Sequence, residues 1–112
     1  RLIGLKRAMG MILTGRHVGA QEGHELGFVN EVVPQGEALA AAERWAAQML
    51  ELSPLSLRTS KEIALRGFDA PLAQATADQW EYPTLKTLRA SQDFVEGPKA
   101  FAEKRKPKWT GR

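Results

Sequence analysis

The chain has 112 residues, 43% of them apolar and 26% charged, with no cysteine and a formal net charge of +3. That length allows one domain, or a piece of a larger one, burying roughly two-thirds of the surface exposed by the unfolded chain. The composition is that of a soluble globular protein; it excludes a disulfide framework and a thiolate metal site, and no apolar run approaches the roughly 20 residues of a membrane span.

Leu2, Leu5, Ala8, Met9, Ile12 and Leu13 recur at helical spacing, so residues 2–13 are predicted to form an amphipathic helix. Gly15 suits the left-handed position past its end. Gly4 and Gly10 weaken this helix by roughly 1 kcal/mol each relative to Ala. The opening Arg1-Leu2-Ile3-Gly4-Leu5-Lys6-Arg7 is already amphipathic and has no initiator Met. It reads as cut from the middle of a longer chain, not as a signal peptide. Ala20–Leu26 is short and helix-compatible, with Gly27 placed to end it. Phe28-Val29-Asn30-Glu31-Val32-Val33 is β-branched and aromatic and stops at Pro34, so it reads as one strand. A lone strand cannot satisfy its own backbone, so its partner must come from elsewhere.

Glu37–Leu52 is the clearest helix, with Ala38, Leu39, Ala42, Trp45, Ala46, Met49 and Leu50 as its apolar stripe. Ser53-Pro54 is a restart signal, Ser as cap and Pro at the first helical position. The next helix runs to about Arg66 and is closed by Gly67. Asp69 then caps a long segment from Ala70 to about Ala90, and Pro83 inside it predicts a break near Tyr82. Ser91 is a cap for the segment leading into the tail. Pro98 is expected to start the last helix and Pro107 to mark its end. No internal repeat or low-complexity linker is present.

Residues 86–112 carry eight Lys/Arg against three Asp/Glu, and residues 1–85 carry eight against ten. The whole positive excess therefore lies in the tail, which predicts an anionic partner. Phe94, Pro98 and Phe101 could face one way, with Lys104 on roughly the same face. An aromatic ring beside an ammonium can cover a base and pair with a phosphate, each contact contributing on the order of 1–3 kcal/mol. The alternative is that Phe94 and Phe101 are core and the cations merely solvated. Other chemistry is poorly supported. His17 and His24 lie seven apart with no clustered ligands, so no metal site is predicted. No Ser sits in a Gly-x-Ser-x-Gly elbow, and there is no glycine-rich phosphate loop. Glu22 with Glu25, and Asp78 with Glu81, share helix faces, which solvation explains.

Ile12-Leu13-Thr14-Gly15, Ala20-Gln21-Glu22, Leu26-Gly27-Phe28-Val29-Asn30-Glu31-Val32-Val33-Pro34, Ser53-Pro54 and Glu96-Gly97-Pro98-Lys99-Ala100-Phe101-Ala102-Glu103-Lys104-Arg105-Lys106-Pro107 together resemble the C-terminal part of the enoyl-CoA hydratase/isomerase (crotonase) family. Each motif is moderately specific; the ordered set, spanning the chain, is highly specific. The ending, with Trp109 after the last Pro, is most similar to the carnitinyl-CoA dehydratase-like branch. The resemblance implies a mainly α chain, the C-terminal helical trimerisation region of an α/β spiral fold, with one short strand at about 28–33 and the spiral core absent. Residues 1–34 would end the core region and 35–112 form the oligomerisation and CoA-lid region.

The resemblance further implies no catalytic residue here, because the family's oxyanion hole and catalytic glutamates lie upstream of what Arg1 matches. By the Phe-x-Glu-Lys-Arg match, Phe101 would line the acyl-CoA pocket and Lys104 would meet the adenosine-phosphate end. Some relatives place a Tyr where this chain has Arg89. The implied partners are acyl-CoA, a homotrimer or hexamer, and the missing N-terminal spiral domain. No cofactor is implied beyond the thioester substrate, and the implied setting is fatty acid metabolism in the cytoplasm, which the lack of cysteine fits. Two other readings remain: a helical oligomerisation module, suggested by the broad stripes bearing Trp45, Trp80 and Met49, and a basic nucleic-acid binder, opposed by the interleaved Glu96 and Glu103.

Overall fold

A computed structural model describes residues 1–112. The chain is entirely helical: α1 Leu5–Thr14, α2 Ala20–Glu25, α3 Ala38–Leu50, α4 Pro54–Gly67, α5 Leu72–Asp78, a single 3-10 turn at Gln79–Glu81, α6 Pro83–Arg89 and α7 Gln92–Ala102. It divides into two compact units, residues 1–45 and 46–112. No helix is long and apolar enough to cross a membrane.

In the first unit, α1 starts later than its stripe predicts. Gly4 has φ +79° and ψ 152°, a conformation closed to L side chains, so the helix cannot extend back to Leu2. Its expected core stripe is uncovered within the unit: Leu5, Ile12 and Leu13 are exposed and Met9 is half-exposed. The predicted strand at 28–33 does not form. The N–H groups of Phe28 and Val29 instead turn back onto the Gly23 carbonyl at 3.1 and 3.2 Å. Gly27, with φ +87°, supplies the left-handed residue of this closure, and its own N–H reaches the His24 carbonyl at 3.0 Å. These paired bonds make a Schellman motif at the end of α2. The rest of the segment stays without ladder partners, because no second strand exists in the chain. Glu31 is held by Arg44 and by the Trp45 indole N–H, at 2.6 and 2.7 Å.

The second unit is built on α4, which packs against α5 and α6, while α6 packs on α7. Ser53 caps α4 as expected, its hydroxyl accepting the Ser56 N–H at 3.3 Å, with Pro54 at the first helical position. The long segment after it breaks where proline predicts. Tyr82 is extended, with ψ 134°, and Pro83 opens α6. A polar seam fixes that opening against α4. The buried Thr59 hydroxyl donates to the Thr84 carbonyl at 3.0 Å, and the Thr84 hydroxyl donates to Glu62. Arg66 pairs with Glu62 at 2.8 Å and stands over the Tyr82 ring. Two boundaries differ from expectation. Pro71, not Asp69, occupies the cap position of α5. Pro98 lies inside α7 instead of starting it. Pro98 gives up the bond to the Phe94 carbonyl, but the preceding Gly97 has no Cβ to clash with the pyrrolidine ring, which eases helix on both sides.

Gly23 is where packing is least forgiving. A Cβ there would meet Val29 Cγ2 at 2.8 Å and the Phe28 ring at 3.1 Å. Both neighbours are pinned by their hydrogen bonds to the Gly23 carbonyl, so neither can retreat. Gly23→Ala is expected to destabilise the first unit by about 1–3 kcal/mol. Chemical denaturation of the full chain followed by Trp45 emission checks this, and an unchanged midpoint would contradict it.

Candidate functional site

Helix α7 and the residues after it carry the chain's positive excess. Ser91 caps α7, its hydroxyl accepting the Phe94 N–H at 3.2 Å. The helix ends in a second Schellman motif. The Arg105 N–H bonds the Ala100 carbonyl at 3.0 Å and the Lys104 N–H bonds the Phe101 carbonyl at 3.1 Å. The left-handed position, filled by Gly27 after α2, is here filled by Lys104, with φ +52°. It is the only residue other than glycine with positive φ. A side chain costs on the order of 1 kcal/mol there relative to glycine.

Beyond this turn the chain doubles back along α7. Arg105 makes a bidentate pair with Glu96 at 2.6 and 3.0 Å, and its Nε reaches Glu103 at 2.5 Å. The Lys108 N–H donates to Glu96 at 2.7 Å. Thr110 donates to Asp93 Oδ1 through its N–H at 2.7 Å and its hydroxyl at 3.1 Å. The Gly111 N–H lies 3.3 and 3.2 Å from the two Asp93 oxygens, and Ser53 Oγ donates to Oδ2 at 2.8 Å. The Arg112 carbonyl accepts the Gln92 N–H at 2.9 Å. The Trp109 indole N–H donates to the Glu51 carbonyl at 2.8 Å, and its ring lies across Gly97, 3.4 Å from where a Cβ would stand.

The electrostatics follow from these partners. The Arg105 guanidinium, and then the Lys108 N–H, hold the Glu96 carboxyl down at about 2, against an ordinary 4.5. Arg105 is raised in turn by Glu96 and Glu103. Burial pushes Asp93 up, but the hydrogen bonds from Thr110, Ser53 and Gly111 outweigh it and hold the carboxyl below its ordinary value. Asp93 is only 3% exposed, and no buried polar side-chain atom of the chain is left without a partner.

Of the two residues the sequence singles out, Phe101 is 88% exposed and Lys104 is exposed and forms no ion pair within the chain. They adjoin at the end of α7. Lys104 lies past the helix in the left-handed turn, so the helical repeat that aligned it with Phe101 does not extend to it. Phe94 is half-exposed, so the chain itself does not bury this aromatic face as core. A shallow groove of about 470 Å³ is lined by Gln92, Val95, Glu96, Lys99, Lys108 and Thr110. Neither Phe101 nor Lys104 lines it.

The remaining candidates resolve into structure. Glu22 is paired bidentately by Arg16 at 2.9 and 2.6 Å, and Glu81 by Lys86 at 2.7 Å. Arg89 stands over the Trp80 ring, 5.4 Å from its centre. His17 and His24 belong to no group of three or more residues able to hold a metal ion. What sequence reasoning misses is Asp93, Glu96, Arg105 and Trp109. Their partners are nine to fifty-eight residues away, beyond any local spacing rule.

The chain is thus a set of helices without a strand, with a cationic tail that returns along its last helix. Residues 1–112 match the enoyl-CoA hydratase/isomerase family. The chain belongs to that family, and its helices are those of the C-terminal helical part of the crotonase-type fold. Carnitinyl-CoA dehydratase from Escherichia coli is 38% identical over 107 residues, 91% of this chain and 40% of the relative. The Salmonella typhi carnitinyl-CoA dehydratase is 36% identical over the same span. Among solved structures, a putative short chain enoyl-CoA hydratase from Novosphingobium aromaticivorans superposes with a TM-score of 0.90 at 38% identity, covering 100% of this chain and 43% of the other. An enoyl-CoA hydratase from Mycobacterium tuberculosis gives 0.89 at 35% identity, covering 99% and 43%. The chain thus spans about 40% of the length of the curated relatives it matches.

The Glu96 carboxyl, held at about 2 in the folded chain against an ordinary 4.5, stabilises the returned tail fully above about pH 4.5 and loses that contribution as pH falls through about 2. Asp93 acts in the same direction. The Trp109 indole N–H resonance is therefore expected to hold its position at neutral pH and to move to a solvent-exposed value only in that acid window. Release of Trp109 above pH 5 would contradict it.

Proposed function

We propose that this chain supplies the helical region of an enoyl-CoA hydratase-like lyase acting on acyl-CoA thioesters, contributing subunit contacts and part of the coenzyme site. The enzyme would hydrate a 2-enoyl-CoA or dehydrate a 3-hydroxyacyl-CoA in the cytoplasm, with the thioester as substrate and no separate cofactor. Residues 1–112 hold no reacting group. An oxyanion hole stabilising the thioester enolate, and glutamates handling water and the α-proton, would come from the rest of the family fold.

Within that scheme Phe101 lines the acyl-CoA pocket and Lys104 meets the adenosine-phosphate end. The supporting observation is conformational. Lys104 stands in a left-handed position where the same motif after α2 uses Gly27, and its ammonium has no partner in the chain. A lysine held where glycine fits better is explained if its side chain is needed. Arg105, its neighbour, is spent on Glu96 and Glu103, which leaves Lys104 as the free cation of the turn.

In an active family enzyme carrying residues 1–112, Lys104→Ala is expected to raise the Michaelis constant for acyl-CoA about tenfold, with a much smaller effect on the pantetheine ester. Equal effects on both esters would remove the phosphate role. The chain alone, purified free of host hydratase, is expected to show no turnover.

A second reading is an assembly module without activity of its own. It is favoured by the large apolar side chains left exposed, among them Leu39, Leu50, Leu65, Leu72 and Trp80. Association of the chain in sedimentation velocity at micromolar concentration is expected if these faces serve subunit contacts. A clean monomer would count against them.

A further inference from the structure

Two carboxylates on α7, three residues apart, take up much of the returning tail. Glu96 accepts from Arg105 and the Lys108 N–H; Asp93 accepts from Thr110 and the Gly111 N–H. The order is antiparallel: as the tail number rises, the α7 partner number falls, ending with Gln92 on the Arg112 carbonyl. Asp93 also holds Ser53, whose hydroxyl caps α4, so one carboxylate joins the tail to two helix starts. Lys104 lies at the only reversal between α7 and this tail.

We propose that Asp93 and Glu96 are positioning residues forming a two-carboxylate latch, and that holding the tail along α7 fixes Lys104 in its left-handed turn. The physical reason is the cost of that turn. A lysine left to itself prefers right-handed or extended backbone by on the order of 1 kcal/mol or more, so the conformation persists only when the chain on both sides is tied down. The helix side is tied by the Schellman bonds at Ala100 and Phe101. The tail side is tied by charge-assisted bonds to Glu96 and Asp93, the stronger class of hydrogen bond. The inference rests on the reading of Lys104 as the phosphate contact for its functional consequence, but not for its structural content.

Amide exchange and three-bond HN–Hα coupling, measured by NMR on the full 112-residue chain, test the structural content. Asp93 receives four donors, and Asp93→Asn turns one accepting oxygen into a donor facing them. Exchange at Lys108, Thr110 and Gly111 is expected to speed up about tenfold to a hundredfold, with the Lys104 coupling moving from its left-handed value and the amides of α6 and of α4 beyond its capped first turn changing far less. Glu96→Gln, on a more exposed site, serves as the second variant and is expected to give the same pattern should Asp93→Asn fail to fold. Faster tail exchange with the Lys104 coupling unmoved overturns the proposal, and so does exchange that changes less than about twofold. In an active family enzyme carrying residues 1–112, the latch variants should raise the Michaelis constant for acyl-CoA while leaving kcat within about twofold. If those variants leave it unchanged while Lys104→Ala raises it, the latch does not set the cation. If Lys104→Ala has no effect either, the phosphate reading fails, and the exchange and coupling results alone decide the latch.

Discussion

The carboxylate of Asp93 is the contact on which the second unit depends. It sits on the first turn of α7, nearly inaccessible to water, and collects donors from the cap of α4 and from the end of the chain. Burying a carboxylate is costly unless its lone pairs are taken up, and here they are. Because every donor must be in place for the charge to be tolerated, the arrangement specifies one geometry and not a family of them. Ser53 adds to that economy: one hydroxyl accepts from Ser56 as a cap and donates to Asp93 as a tie.

Polar organisation matters here because the apolar interior is so small. The buried hydrophobic residues are Ala41, Leu55 and Ala100, and the buried polar ones Ser53, Thr59, Ser91 and Asp93. The large side chains that would ordinarily make a core, among them Leu5, Ile12, Leu50, Leu72 and Phe101, lie on exposed faces. Hydrogen-bonded caps and seams therefore set how the helices of the second unit meet, while the apolar faces stay open to other surfaces. That division suits a segment of a family fold whose matched relatives are more than twice as long.

Much of the helix pattern was legible in the sequence because its signals are local. Ser53-Pro54 and Ser91 cap, Gly15 and Gly27 end helices, and Pro83 breaks the segment at Tyr82. The strand expected at 28–33 does not form within the chain, because β-branched composition reports what a segment could pair, and the partner expected from elsewhere is not among these residues. Pro98 departs from expectation for the converse reason: Gly97, without a Cβ, relieves the clash between the ring and the preceding residue, so the helix runs through it. The tail was legible as charge but not as geometry. Glu96 reads locally as a stray acid among cations, whereas its role is to receive Arg105 and Lys108 after the chain has turned back. No periodicity marks a carboxylate whose partner lies across a reversal.

On the role proposed for Lys104, the turn at the end of α7 gives up backbone ease to hold an ammonium for an anionic ligand. Lys104→Gly in an active family enzyme carrying residues 1–112 sets backbone ease against ligand binding. A higher denaturation midpoint is expected together with weaker use of acyl-CoA and unchanged use of its dephospho analogue. A variant that gains stability and handles both substrates as before would contradict it.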